Sequence, residues 1–521
     1  MSKYKTYSYP HVGISVTAKE HVTAAAEAAD TTVLFVPFVS ERGPIKTVKK
    51  IHSLEEFQST YGEIANYVDR LGKHTAFNIM NWLTAGGTIY AYRLSNENAT
   101  KATFSNGNYS ITAKEYGDYL NDYSIKVQKS GNDSLYVSLI NSLGNTIERI
   151  YVTGAEAGKS LSLASEYLES ITITNISSES QTLKPVKGQE GEATDGIGDL
   201  YISALRYFWG TSTALVSDDT VDSGIGVSTG TEKLTSATAK DVLGNPLEYQ
   251  IDLIMDAGYP SDIKLAMMKF ISDYDKEGSE RGANDQPVRD DIRGVFEIYE
   301  SNKDSYTCDQ TKTQITEYNK DPNIFVFSQD VTITDGIFDN KQVTVGPTYF
   351  LSSLIPANDI DNGIQFPVAG TRRAELEGIV SLSWNPMPEE KQTLFDNRIN
   401  YIEKDSRGYY FMGNRTMEKA NSKDNNTALT FMNNSRVVCR MVHELELLGR
   451  EYLFEFNDAT TLANMSARLN SYVSTWIANR TLSYGEVTVV KSSTSEEAVN
   501  LTLNIKFTGT IEVISVDIVI E

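Results

Sequence analysis

The first uninterrupted apolar run in the chain, VLFVPFV from Val33, has the length and branched composition of a strand buried on both faces. Ahead of it, Val12, Ile14 and Val16 take alternate positions of a short strand. The alanine-rich stretch that follows offers little surface to bury, so residues 1–30 read as an extended arm. SERGP ends the apolar run with a Gly-Pro breaker. Ser53-Leu54-Glu55-Glu56 then has capping-box spacing, in which serine hydroxyl and glutamate carboxylate satisfy main-chain N–H groups at a helix start. That helix is short, ending near Tyr61-Gly62. Ala76, Ile79 and Leu83 recur at helical spacing, Gly86-Gly87 stops this second helix, and TIYAYRL returns to strand.

From Phe104 to about Ile173 the period changes to strict alternation. YSITA, YSIKVQ, SLYVSLI and IERIYV are separated by Asn, Gly and Asp turns, as in a small β-sandwich or half-barrel. Residues 176–240 are rich in Ser, Thr, Gly and acid and predict loops or an exposed insertion, with DLYISALRYFW as an aromatic helix inside it. From 250, strand and helix alternate through IDLIMDAG, IKLAMMKFISDY, IRGVFEIY and IFVFS to a hairpin-like VTITDGIFDNKQVTV, which is α/β patterning. Val438, Met441, Val442, Leu445 and Leu448 make a helical stripe closed by Gly449, and Leu462, Met465, Leu469, Val473 and Trp476 make a second. In VNLTLNIKFT, Val499, Leu501, Leu503, Ile505 and Phe507 face inward and the polar residues outward. After Gly509 the last segment is apolar on both faces, with Ile514, Val516, Ile518 and Ile520 on one and Ile511, Val513 and Val519 on the other. Such a strand needs partners on both faces. It is either a central strand of the chain's own sheet or a strand donated to a neighbouring subunit, the N-terminal strand doing the same.

Length changes this picture little: 521 residues suffice for about three domains of roughly 100–200 residues. Charge changes it more. Lys+Arg 47 against Asp+Glu 69 gives −22, which disfavours a phosphate-tracking or anionic-membrane role. Residues 1–100 carry +1, 101–240 carry −6, 241–380 carry −13 and 381–521 carry −4. Near-neutral ends around an acidic middle imply packed ends and a middle that faces solvent. Cys308 and Cys439 are too few and too far apart for a disulfide framework, which fits a reducing compartment. The start has no apolar signal region and no apolar run approaches the roughly 18–20 residues of a membrane span, so cytoplasmic synthesis and no membrane insertion are expected.

Candidate catalytic chemistry is thin. TGAEAGKS, residues 153–160, lies between a strand and a helix-like LSLASEYLES, the setting of a phosphate-binding loop. It has Thr153 where the spacing needs glycine, and Glu156 would put an anion in the cradle. GVSTG, residues 226–230, matches a nucleophile-elbow pattern without the buried strand and apolar helix that must flank it. His11, His21, His52, His74 and His443 do not cluster. Cys439 and His443 are one helical turn apart, yet two ligands without further thiolates make a poor metal site, and a buried thiol beside a boundary histidine accounts for both. Asp290 and Asp291 read with Arg289 and Arg293 as a solvated charge cluster. No nucleophile, base and oxyanion donors assemble, so no enzyme activity, metal or cofactor is expected.

Several phrases, taken in order, resemble the contractile tail sheath proteins of bacteriophages and related injection machines. VPFVSERGP, SLEEFQSTYGE and FNIMNWLTAGGTIYAYRL resemble that family's opening, and ITAKEYGDYLNDYSIKVQ the start of its β-rich inserted domain. PVAGTRRAELEGI, INYIEKDSRGYYFMGNRT and EYLFEFND before a Trp-containing helix look like its C-terminal domain, with Gly408, Gly413, Arg415 and Thr416 at a G-x-x-x-x-G-x-R-T turn. The match spans most of 31–152 and 367–521 and fades over 176–350.

The resemblance implies a multidomain α/β and α+β protein whose tube-proximal core comes from both chain ends, with outer domains inserted. The division expected is an N-terminal arm (1–30), a first core segment (31–100), a β-rich inserted domain (101–185), an outer acidic α/β insertion (186–354), a second core segment that is the C-terminal sheath domain (355–508) and a C-terminal strand arm (509–521). It further implies a homo-oligomeric helical array around a tail tube protein, bounded by baseplate and tail terminator proteins, in a virion tail assembled in the host cytoplasm. Val12, Ile14, Val16, Ile511, Val513, Ile514, Val516, Ile518 and Ile520 would form the exchanged strands, and Arg468 and Arg480 would face the tube. A phage-derived bacteriocin or other injection system is the alternative within this class; a nucleotide-binding enzyme is the alternative outside it.

Overall fold

A computed structural model of the chain describes residues 32–40, 42–62, 73–94, 100–117, 119–185, 201–211, 238–301, 306–334, 336, 341–419, 427–493 and 495–509. The proposed exchange strands, Val12 to Val16 and Ile511 to Ile520, and the GVSTG segment lie outside the described residues.

The chain opens as β1 (Val33–Phe38), β2 (Val48–Ile51), α1 (Leu54–Tyr61), α2 (Lys73–Thr84) and β3 (Thr88–Arg93). Every residue of β1 is buried, as an apolar run without alternation requires. Ser53 Oγ accepts from the Glu56 N–H at 3.1 Å, and the Glu56 carboxylate reaches back to the His52 N–H at 2.9 Å, one residue ahead of the usual capping-box partner. β3 runs parallel to β1. β2, too short and too lysine-rich for its apolar pattern to show, pairs antiparallel outside β3.

The sandwich follows as β4 (Lys101–Ser105), β5 (Tyr109–Tyr116), β6 (Ser124–Lys129), β7 (Ser134–Ile140), β8 (Thr146–Thr153), β9 (Ser160–Ser162), β10 (Leu168–Ile173) and β11 (Gln181–Leu183). Two four-stranded sheets, β4-β5-β10-β9 and β11-β6-β7-β8, enclose their own core, to which alternate residues such as Leu135, Val137 and Leu139 contribute. The unit closes on itself, since Phe104 near its entry bridges Pro185 at its exit. The segment expected to be helical after TGAEAGKS is instead β9 and β10: Leu161 and Ile171 are cross-strand partners, so its apolar residues serve a sheet.

The next elements are α3 (Tyr201–Trp209), α4 (Ala239–Leu243), β12 (Leu253–Met255), α5 (Ser261–Ile271), β13 (Arg293–Glu297), α6 (Cys308–Gln314) and β14 (Ile324–Phe327). They join the opening strands in one six-stranded sheet, β14-β13-β12-β1-β3-β2, parallel except for β2. Numbered by their order in the chain, the parallel strands stand 2-1-3-4-5, a doubly wound arrangement. The expected boundary between 31–100 and an outer 186–354 insertion therefore runs through a single sheet with a single core. The solvent-facing acidic middle also differs from expectation. Asp256, Asp273, Asp291, Glu297, Glu300, Asp321 and Asp330 are buried; the carboxylates of Asp256, Glu297 and Asp321 take main-chain N–H groups, and those of Asp291 and Glu300 take side-chain donors. Asp321, for example, accepts from the N–H groups of Asp273 and Asn323.

β15 (Val331–Thr334), β16 (Gln342–Val345), α7 (Thr348–Asp361), β17 (Glu375–Leu376), β18 (Ile379–Leu382), α8 (Pro388–Asp396), β19 (Tyr401–Lys404) and β20 (Tyr409–Met412) extend the same core through two three-stranded sheets. The G-x-x-x-x-G-x-R-T residues are structural. Gly413 has φ 109°, and a Cβ there would lie 2.8 Å from Asn400 Oδ1. That oxygen accepts the Arg415 N–H at 2.8 Å, and the buried guanidinium lies between the rings of Phe395 and Phe431. The chain finishes its described course as α9 (Met432–Arg450), α10 (Ala459–Ala478), β21 (Leu482–Lys491) and β22 (Val499–Phe507), with a third core of their own. No described helix is long and apolar enough to cross a membrane.

Candidate functional site

Doubly wound sheets bind ligands at the carboxyl ends of their strands. Here that end is filled with protein. Asp256, just after β12, accepts the N–H groups of Gly258 at 2.8 Å and Glu297 at 2.9 Å. The fully buried Lys264 donates to the carbonyls of Glu297 and Tyr299 and sits 3.4 Å from Asp256 Oδ2. Glu297 accepts the Thr348 N–H at 2.9 Å, and a Cβ at Gly346 would fall 2.2 Å from its carboxylate. Burial first, and then the Asp256 charge, push Glu297 up to about 8, and burial raises Asp256 too. The TGAEAGKS segment is equally occupied. The N–H of Ala155 bonds to Asp133, that of Gly158 to Ile173 and that of Lys159 to Glu156, while the Lys159 side chain pairs with Glu156 at 2.8 Å. Three of the N–H groups that a phosphate cradle would use are thus already taken.

The amino ends of the strands carry a different arrangement. One face of α9 bears Arg436, Cys439, Arg440 and His443 at i, i+3, i+4 and i+7, and each reaches a group just ahead of, or beside, the parallel sheet. Arg436 pairs with Asp359 of α7 and donates to Thr32, one residue before β1. Arg440 reaches Asp252, one residue before β12, at 3.3 Å. His443 Nε2 and Asp291 Oδ2 are 3.1 Å apart, and Asp291 also receives two bonds from Arg289, at 2.6 and 2.7 Å. Cys439 Sγ lies 2.8 Å from the Asp291 carbonyl oxygen and 4.0 Å from His443 Nδ1. Burial alone would raise Asp291, but Arg289 outweighs it and holds the carboxyl far below its ordinary range. Burial likewise works to lower His443, yet Cys439 and Asp291 bring it up to about 9.

The solvated charge cluster expected at 289–293 is thus buried, because the Leu243 and Tyr249 carbonyls also accept from Arg289. Cys439, His443 and Asp291 have the order of a nucleophile, base and orienting acid, but all three are buried. The apolar stripe of α9 is legible in sequence; the polar one, spaced as regularly, escapes a reading of apolar periodicity.

The opposite face of α9 places Val437, Met441, Leu445 and Leu448 against Met465, Leu469 and Val473 of α10 and the inner residues of β21 and β22. β21 and β22 form a two-stranded sheet over nine paired positions, among them Val487 opposite Leu503 and Val489 opposite Leu501. Asn470 of α10 accepts the Val487 N–H at 2.8 Å and donates to the Val487 carbonyl at 2.7 Å. The main-chain groups of Val487 therefore point away from β22. By the alternation of an antiparallel pair, those of Leu501, Leu503 and Ile505 point to the outer edge of β22, where no strand pairs among the described residues.

Arg468 and Arg480 are both exposed. Arg468 lies 3.8 Å from Glu451, a weak surface pair, and Arg480 takes φ 67° just beyond the end of α10. In the turn between α9 and α10, Phe454 and Phe456 are 88% and 84% exposed. Two such exposed rings in one turn are an apolar feature suited to contact with another molecule, and sequence patterning alone does not single them out.

This architecture has solved counterparts. A sheath tail protein from Listeria innocua superposes with TM-score 0.62 over 93% of this chain and 94% of its own, at 14% identity. The chain has the sheath tail protein fold. A second sheath tail protein, from Desulfitobacterium hafniense, superposes with TM-score 0.52 over 94% of this chain and 100% of its own, at 12% identity. The sheath complex of an extracellular contractile injection system, PVC, in its contracted state gives TM-score 0.49 and 11% identity over 99% of this chain and 98% of its own. No protein-family model and no curated protein matches the sequence.

Proposed function

We propose that this protein is the subunit of a contractile sheath, polymerising as a helical array around an inner tube, with a structural rather than an enzymatic role. The full-length likeness to sheath tail proteins supports the reading, and one observation carries it further. The outer edge of β22 offers the main-chain groups of Leu501, Leu503 and Ile505, in a hairpin whose other edge is stopped by Asn470. An open edge of that length invites strand addition. The terminal strands, Val12 to Val16 and Ile511 to Ile520, are the segments of a neighbouring copy suited to fill it. Arg468 and Arg480 would face the tube, whose complement would be acidic.

A helical array is a heterologous assembly, so each subunit presents two unlike surfaces. Strands exchanged between copies would keep neighbours joined while the packed cores rotate from a metastable extended lattice to a contracted one, driving the tube through a host envelope without nucleotide hydrolysis. A phage tail is the setting proposed, with tube, baseplate and terminator proteins as partners and assembly in the host cytoplasm; an injection system of other origin is the alternative. Negative-stain microscopy of the purified protein tests the reading: hollow tubes are expected, and a variant lacking residues 511–521 should remain folded and monomeric. Normal tubes from that variant would remove the exchanged strand from the scheme, and a wild-type protein monodisperse at high concentration would overturn the sheath reading.

A further inference from the structure

Three unlike donors converge where α9 crosses the amino end of the sheet. Asp252 stands before β12, whereas Cys439 and His443 share one turn of α9, and one ligand atom from each lies within 4.8 Å of the others. Two residues at i and i+4 on a helix hold a cation poorly on their own; a third donor, 187 positions away in sequence, changes the count. The surrounding hydrogen bonds are in place as well. Asp291 holds the Nε2 side of His443 at 3.1 Å, which turns Nδ1 toward Cys439, 4.0 Å from Sγ. A metal-bound histidine characteristically has its far nitrogen fixed by a carboxylate in this way. Tetrahedral zinc with bonds of about 2.3 Å to sulfur and about 2.0 Å to nitrogen puts those two ligand atoms about 3.5 Å apart, so closure needs a shift of about half an ångström. Asp252 is itself fixed, accepting the Val33 N–H at 2.8 Å and lying 3.3 Å from Arg440.

We propose that Asp252, Cys439 and His443 form a binding site for one zinc-type divalent cation. A thiolate, an imidazole nitrogen and a carboxylate oxygen suit zinc, and disfavour the hard, all-oxygen-seeking magnesium and calcium. Binding releases to solvent the Nδ1 proton of His443 together with the thiol proton, leaving a thiolate and a neutral imidazole whose remaining proton is on Nε2 toward Asp291. The ion ties α9, and with it the terminal helix and hairpin, to the strand end at β12.

The test uses the full chain and is independent of whether it polymerises. Protein from zinc-supplemented culture, dialysed and assayed for metal, should hold about one zinc per chain. Metal-free protein given Co2+ alone should develop the thiolate-to-cobalt charge-transfer band. Cys439→Ser should abolish that band, and Asp252→Asn should weaken Co2+ binding at least about tenfold, the loss that even an outer partner of a ligand causes. If Cys439→Ser does not fold, the wild-type melting temperature serves instead, and it should rise with Zn2+ but not with Mg2+. Sub-stoichiometric zinc with no cobalt band, or a band that survives Cys439→Ser, would overturn the site.

Discussion

The side-chain amide of Asn470 on α10 takes both main-chain hydrogen-bonding groups of Val487 on β21, at 2.7 and 2.8 Å. An amide has the donor and acceptor of a peptide group at nearly the same spacing, so Asn470 substitutes for one residue of a missing neighbouring strand. Replacing it with alanine strands a buried N–H and carbonyl, at a cost of about 1–3 kcal/mol. We expect Asn470→Ala to lower the urea midpoint with an unchanged slope.

At the opposite edge, Leu501→Pro removes an N–H that points away from β21 and so breaks no bond inside the hairpin. Monomer stability should fall by about 1 kcal/mol, from the lost side-chain packing. If β22 accepts a strand from a neighbouring copy, tubes should disappear under the electron microscope while circular dichroism stays that of the wild type. Unaltered tubes would place the strand contact elsewhere.

Arg436 is buried against Asp359, with Thr32 as its other partner. Asp359→Ala leaves that guanidinium without its counter-ion, and losses of about 3–5 kcal/mol accompany such half-removed pairs. Chemical denaturation should register the loss. The paired change Arg436→Met with Asp359→Leu should recover much of it, because the desolvation cost then vanishes with the charges.

Glu297 sets a pH dependence. Its carboxyl, raised to about 8 by burial and by Asp256, keeps a proton in the folded state that the unfolded chain gives up near 4.5. Folded protein thus binds the proton more tightly. The stabilisation is complete below the unfolded pKa, declines as pH rises, and is gone above about 8. Lys264 and Asp256 share the cluster and moderate the slope. Glu297→Gln should flatten the stability profile between about pH 5 and 8 and make the protein more stable than wild type at about pH 9 by about 1 kcal/mol or more.

Lys159→Ala addresses the enzymatic alternative. The lysine makes a half-exposed pair with Glu156, and the N–H groups of Ala155, Gly158 and Lys159 already have carbonyl partners. Stability should change by less than about 0.5 kcal/mol, and magnesium-ATP should leave the melting temperature of both wild type and variant unmoved. An ATP-dependent rise lost in the variant would revive a nucleotide site.

Local elements are legible in the chain because each is written in one period. The Val33 run, the helix start at Ser53, the sandwich strands and most of the two terminal helical stripes stand where their spacing puts them, although the seam between α9 and α10 runs through Val437 and leaves out the expected Val438, Val442 and Leu462. What spacing does not convey is partnership. β12, β13 and β14 read correctly as strands, but nothing local says that β12 lies beside β1, some 220 positions earlier, so a single sheet reads as two domains. The acids at 252–330 mislead for a related reason: a carboxylate reads as solvent-seeking until the N–H it will accept is known. The same holds for α9, where Arg436, Arg440 and His443 follow a helix period that shows its purpose only beside Asp359, Asp252 and Asp291. Candidate surface residues are the least legible, since exposure of Phe454 or an open edge on β22 is a property of what fails to pack.

The bridge between Phe104 and Pro185 has a mechanical consequence. The sandwich enters and leaves through neighbouring backbone, so tension passing along the polypeptide from β3 toward β12 is shunted across that neck instead of through its eight strands. The neck is braced from the sheet side as well, since Arg93 at the end of β3 donates to the Tyr116 carbonyl of β5 at 2.8 Å.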